Sequence, residues 1–365
     1  MILSTSAQLC RRGFVATPMA LVAVLCAATH LTATEPSDQH QIPVGSLGYV
    51  HVQVAELHES PLFDTCLKLV SHVQTEASAF SLSRIGLDAT KLSELTFLLP
   101  SFDTYLQLQG NRQTPFVLIA TMSEAFQPER FATRLATEFG LTQGTNTVLT
   151  NGNDWAFFVA SDHTVVMGSP AAIDWWLSAR GNYNPSRLAE SRAAMAGQGQ
   201  ILAGCDATQV PSLLRSQLPA PIQSLSKASV ATISVRLDDG LGIKAGLVFD
   251  DEGDAQHASQ ELHLLIDRGK ALLSIAATGM EHSLKNPNAS VSEGIGALGG
   301  LALIREGAAH LDQVHIEQAD GRIHAEARLD MSTTSLVMLG LTAIRSIGRD
   351  ANPQFEPVVE QQAAK

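Results

Sequence analysis

Four short polar turns, each set between segments that alternate in character, constrain this chain more than any other feature. Residues 151–154 (Asn-Gly-Asn-Asp) separate 147–150 from 155–160, and Ser161, Asp162 and His163 turn the chain into 164–167. Asp238, Asp239 and Gly240 separate 230–237 from 241–249, and Asp320 with Gly321 separates 314–318 from 323–329. Strands joined by so few residues can only run antiparallel. The middle loop also reveals its register. With three residues in it, Ile233, Val235 and Leu237 share a face with Leu241, Ile243 and Ala245, whereas a two-residue loop would put the two apolar sets on opposite faces.

Other strand patterns lie at 48–54, 95–99, 116–121 and 200–205. In the first of these Tyr49, His51 and Gln53 alternate with Val50, Val52 and Val54, the pattern of a half-buried strand. Helical spacing appears between the strands. It runs over 56–79 with Ser60-Pro61 as a cap signal, and over 127–139 with Phe131, Leu135 and Phe139 on one side. It recurs after Ser169-Pro170 to about residue 179, over 210–218, over 255–266, and after Ser332 or Thr333 to residue 347. The expected class is therefore α+β, in two similar lobes, each a mainly antiparallel sheet with helices packed on one face. The lobes are expected at 47–180 and 200–349, with 181–199 connecting them and 350–365 a polar, disordered tail. Their openings lie about 150 residues apart and their elements follow the same order, which reads as an internal duplication.

The first 33 residues read differently. They hold Arg11 and Arg12 and no acid, then an apolar run over 19–28, then small and polar residues up to Ala33. This is the order of a secretory signal peptide. The run is about ten residues long and a spanning helix needs roughly 20. Export to the periplasm or beyond is expected, with cleavage near Ala33 and a polar linker over 34–46. An uncleaved anchor is the minority reading, and lipidation at Cys26 is disfavoured by Leu25 before it. No later segment is long enough to span a membrane; the most apolar, 336–347, is broken by Gly340, Thr342 and Arg345.

Removing 1–33 leaves 22 basic against 36 acidic residues, a net charge of about −14. Lys and Arg are scattered singly, so nucleic acid and anionic lipid are both repelled. Cys66 and Cys205 are the cysteines that remain. An exported location permits a bond between them, but the plainer reading is two buried thiols.

The stretch 48–63, Gly-Tyr-Val-His-Val-Gln-Val-Ala-Glu-Leu-His-Glu-Ser-Pro-Leu-Phe, resembles the opening of uncharacterised exported proteins common in planctomycete-type bacteria. The stretch 237–249 and the acidic turn and Ala-rich helix after it are similar to their second half. The resemblance implies the order of elements. That family has no assigned activity, so it implies no site, cofactor or partner.

Among possible sites, the last hairpin is the sharpest. A two-residue Asp320-Gly321 turn sets His324 opposite Glu317 and Glu326 opposite His315, with all four side chains on one face. Two imidazoles and two carboxylates form a set that zinc accepts. The plainer reading is the solvent face of an amphipathic hairpin. Gly294, Gly296 and Gly299 match a dinucleotide fingerprint as a string, but a loop rather than a strand precedes them, so a closely packed helix is the better reading and no cofactor is expected. Ser161, Asp162 and His163 are adjacent and cannot converge on one reacting atom. Asp250, Asp251, Glu252 and Asp254 suit a helix start better than a calcium loop. Trp175 and Trp176 point roughly 100° apart on a helix, so one can be buried while the other takes part in a protein contact. Taken together, the sequence reads as an exported, non-catalytic binding or assembly protein. The alternative is a hydrolase or metal-binding protein whose site is assembled from distant residues.

Overall fold

A computed structural model describes residues 42–63, 91–104, 115–144, 148–151, 155–179, 186–216, 222–238, 240–285 and 291–329. The expected leader, the helix expected over 332–347 and the tail 350–365 lie outside the described residues. Among these the strands are β1 (Gly48–Gln53), β2 (Leu92–Leu99), β3 (Val117–Met122), β4 (Thr142–Gln143), β5 (Leu149–Thr150) and β6 (Ala156–Val159). β7 (Thr164–Gly168), β8 (Ile201–Asp206), β9 (Val230–Leu237), β10 (Leu241–Val248), β11 (His315–Ala319) and β12 (Arg322–Leu329) complete them. The helices are α1 (Val54–His58), α2 (Pro128–Phe139), α3 (Pro170–Ala179), α4 (Arg187–Met195), α5 (Ser212–Arg215), α6 (Glu252–Leu284) and α7 (Val291–Asp312).

The fold is α+β, and its described strands form one sheet. Twelve strands run in the order β11-β12-β10-β9-β8-β1-β2-β3-β7-β6-β5-β4, and each described neighbour pair is antiparallel. The separate sheets expected for two lobes are thus fused. The opening strand of each part, β1 and β8, pair with one another from Gly48↔Cys205 to Val52↔Ile201. The turns behave as their residues dictate. Leu237 pairs with Leu241 across a three-residue loop. Ala319 pairs with Arg322, and Asp320 and Gly321 sit at φ 49° and 70°, the left-handed values of a two-residue hairpin turn.

Helices were expected on one face only, yet the first part is covered on both. β3 reads Val-Leu-Ile-Ala-Thr-Met and is buried at every position, so neither of its faces tolerates water. On one face Val52, Leu95, Leu118, Ala120 and Met167 meet Phe131 and Leu135 of α2 and Leu57 of α1. On the other, Leu98, Val117, Ile119 and Val166 meet Ile173 and Trp176 of α3 and Leu188 and Met195 of α4. We call these the α2 face and the α3 face. α4 lies inside 181–199, expected as a mere connection. Its capping residue Ser186 accepts a hydrogen bond from the Ala189 amide at 3.1 Å, and the helix packs against β8 and β9. Ser169, expected to cap α3, sits before Pro170, but its buried hydroxyl finds no partner among the described residues.

Apart from α4 over β8 and β9, the second part is covered on one face. On the α2 face, Ala255, Ala258 and Leu262 of α6 pack on Leu247, Ile316 and Ile323. On the α3 face the strands present Arg236, Lys244, His324, Glu326 and Arg328. α6 begins at Asp251, whose carboxylate accepts from the Asp254 amide at 3.0 Å. It then runs 33 residues, far past the expected end at 266 and about 50 Å in all.

Candidate functional site

The four hairpin residues occupy the register expected of them: His315 faces Glu326, and Glu317 faces His324. They do not converge. All four are exposed, His315 Nε2 and Glu317 Oε1 are 2.9 Å apart, and Glu326 is drawn to Lys244 Nζ at 3.3 Å. Among the described residues no group of three or more His, Cys, Asp or Glu could hold a metal ion. The four side chains stand on one exposed patch of the hairpin, whereas a zinc site draws its ligands to within about 2 Å of one point. A shallow cavity of about 330 Å³ lies beside it, lined by Arg236, Asp238, Gly242, Lys244, Glu326 and Arg328. Arg236 pairs with Asp238 at 3.6 Å.

Trp176 is buried in the core beneath α3, and Trp175 is half-buried against the same core. Both rings serve packing, with Phe158 at 6.0 Å from Trp176. Gly294, Gly296 and Gly299 lie within α7, not in a strand-to-helix turn. Ser161, Asp162 and His163 form the β6–β7 turn. The His163 ring lies 3.0 Å from the Met122 carbonyl, and the Asp162 carbonyl accepts from the Phe126 amide, which ties the turn to the loop after β3. Cys205 is a free thiol whose pKa is raised by burial and further by Asp206, the opposite of an activated nucleophile. Cys66 lies outside the described residues.

Sequence reasoning missed a polar cluster at the centre of the sheet. Tyr49, His51 and Thr96 share the α3 face and are buried. The face of β1 expected to meet solvent is instead roofed by α4, which drops Arg192 onto it. The Arg192 guanidinium stands 3.3 Å from His51 Nδ1 and 5.9 Å over the Tyr49 ring. Thr96 Oγ1 is 2.8 Å from the same imidazole nitrogen. A guanidinium can only donate, so Nδ1 accepts. Burial lowers the Arg192 pKa, and Tyr49 and Glu94 oppose this. Burial raises Glu94, with Arg192 opposing and Glu56 adding to the rise. Tyr49 is pushed up to about 12 by burial, against the pull of Arg192. The cluster needs Gly204 on β8, since a Cβ there would stand 2.5 Å from Tyr49 Cε1. Its work is to fasten α4 across the β1–β8 junction. His51 and Arg192 are 141 residues apart, a separation at which local patterns carry no signal.

The most exposed apolar side chains belong to the long helices. Past residue 267, α6 pairs with α7 through small residues. A Cβ on Gly300 would stand 3.1 Å from the Met280 methyl, and one on Gly269 would stand 3.2 Å from Leu311 Cδ1. On α6, Leu264 and Ile275 lie on the side turned away from that seam and Leu272 lies on its flank, as the helical period requires. They are 53%, 67% and 70% exposed, and Leu298 of α7 is 59% exposed. No described helix is long and apolar enough to cross a membrane.

No known protein family, curated protein or solved structure matches the chain.

Proposed function

We propose that this is an exported, non-catalytic assembly protein that engages a protein partner through the α6–α7 hairpin. The observation that carries the reading is the exposure of Leu264, Leu272 and Ile275 on the back and flank of α6, outside its seam with α7. Large aliphatic side chains left two-thirds exposed on a rigid helix cost solubility unless something covers them, and a helix presenting anchors at such spacing is a common recognition device. Residues 1–33 would serve as the export leader, which fits the resemblance to exported proteins of planctomycete-type bacteria. The two parts would descend from one duplicated unit. β1-β2-β3-β7-β6 and β8-β9-β10-β12-β11 place their strands in the same spatial order about the β1–β8 pair, which supports common descent.

The test uses the full chain with a photo-crosslinking residue at position 272, expressed in its own host, alongside the Leu272→Glu/Ile275→Glu variant. Both substituted positions are exposed, so the variant should keep its melting temperature within a few degrees. A discrete cross-linked species that disappears in the variant is the expected result. No cross-link, or one indifferent to the substitutions, would sink the reading.

A further inference from the structure

We propose that the α3 face of β9, β10 and β12 binds a small anion carrying two or more charges on phosphate or carboxylate oxygens, gripped by Arg236, Lys244 and Arg328. The site lies across the sheet from α6, so it stands apart from the hairpin's role in assembly. The chain as a whole is acidic, with a net charge of −12, and its Lys and Arg are scattered singly along the sequence. Folding gathers three of them. Gly242 pairs with Arg236 on one side and with Arg328 on the other, although α6 and α7 separate β10 from β12 in the chain. Lys244 stands two residues further along β10, on the same face.

The register builds a trough. On this face β10 presents Gly242, Lys244 and Gly246, so the strip is bare on either side of Lys244. Side chains of β9 and β12 form its walls, and Gly197 and Gln198 in the loop after α4 also line it. Neighbouring strands lie about 4.8 Å apart, so the Cα atoms of Arg236 and Arg328 are about 10 Å apart across β10. Guanidiniums rooted at that spacing can close on one oxyanion from opposite sides, with Lys244 as a third donor. Gly242 is the decisive position. A glycine inside a strand weakens it and often marks a place that another group approaches closely. Its φ is not positive, and no described neighbour demands the missing side chain. A Cβ there would meet Arg236 Cβ at 3.5 Å, an ordinary contact. Gly242 instead lines the cavity of about 330 Å³, room enough for a small ligand. Asp238 and Glu326 line it too, and they hold Arg236 and Lys244 at 3.6 and 3.3 Å in exposed pairs. Pairs of this kind contribute little, so both cations can turn to a ligand. An anion that engages all three must replace the charge of both carboxylates, hence the two or more charges. Three cations against two carboxylates leave the cleft positive on an acidic molecule, which draws anions to it.

The full chain is titrated with pyrophosphate and, separately, with citrate, and binding is read by calorimetry and by the shift in melting temperature. Low ionic strength is used, because salt screens exposed charges. Binding of either probe with a Kd of about 1 mM or tighter is the expected result, and the tighter of the two tells phosphate from carboxylate chemistry. Arg328→Gln should weaken it about ten-fold or more. Gly242→Leu should abolish it by filling the floor of the trough. Lys270→Gln, which removes a cation paired with Asp312 on the hairpin, should leave it unchanged. The melting temperature without ligand shows whether each variant is folded; if Gly242→Leu is not, Arg236→Gln joins Arg328→Gln in carrying the test. Absence of binding by both readouts, or binding that Arg328→Gln leaves intact or that Lys270→Gln weakens equally, would overturn the proposal.

Discussion

At the scale of single residues, the polar cluster on β1 shows how burial changes what a group can do. The Tyr49 hydroxyl is buried and has no hydrogen-bond partner among the described residues, and burial holds its proton until about pH 12. In the unfolded chain a phenol ionises near pH 10. Between those values the unfolded chain releases a proton that the folded chain retains, so stability falls as pH rises through that window and is complete below it. The loss attached to this group is about 2 to 3 kcal/mol. Tyr49→Phe removes a hydroxyl that gains nothing from burial, so at pH 7 its stability should stay within about 1 kcal/mol of the parent or exceed it. Urea unfolding at pH 9 and pH 12 checks both statements. The parent should lose more stability than Tyr49→Phe over that interval, and equal losses would contradict the burial argument.

At the scale of elements, the seam between α6 and α7 sets how closely two long helices approach. Gly300 faces the flexible end of Met280, which can swing aside for a methyl group but not for a branched side chain. Gly300→Ala should leave the melting temperature within a few degrees, whereas Gly300→Leu should lower it clearly, at a cost of about 1 to 3 kcal/mol. Hydrogen exchange should localise the effect to α6 and α7 and spare β3. A loss that appears equally in β3 would contradict it. The same elements mark the limit of what the sequence reveals. Turns and alternating strands are local, and the two hairpin registers follow from Asp238–Gly240 and Asp320-Gly321 alone. α6 past residue 266 is not legible in that way, because it carries apolar residues on more than one side. Leu273 and Met280 face α7, Leu272 flanks them and Ile275 faces away, and together they blur the single-sided period that marks a helix. The continuous burial of β3 also says that both faces are covered without saying by which helix. His51 and Arg192 meet only after α4 has crossed the β1–β8 junction, so nothing in either neighbourhood announces their contact.

At the scale of the whole molecule, the fused sheet couples the two parts. β1 has β2 on one side and β8 on the other, and α4 bolts across the junction. Calorimetry should therefore show one cooperative transition over both parts, with calorimetric and van't Hoff enthalpies in agreement. Val50→Pro, which removes a donor from the shared ladder, should lower that transition as a whole. Two resolved transitions, only one of them shifted by the substitution, would mean that the parts melt independently.

The central place of β1 also bears on how the protein is made. It is the earliest of the described strands to leave the ribosome, yet its second neighbour is complete only once Asp206 has been synthesised, about 150 residues later. At roughly 5–20 residues per second, one row of its backbone donors and acceptors waits many seconds for a mate. During that interval it offers other nascent chains a template for pairing. The position that gives the finished sheet its continuity is thus the one that leaves the growing chain most open to aggregation.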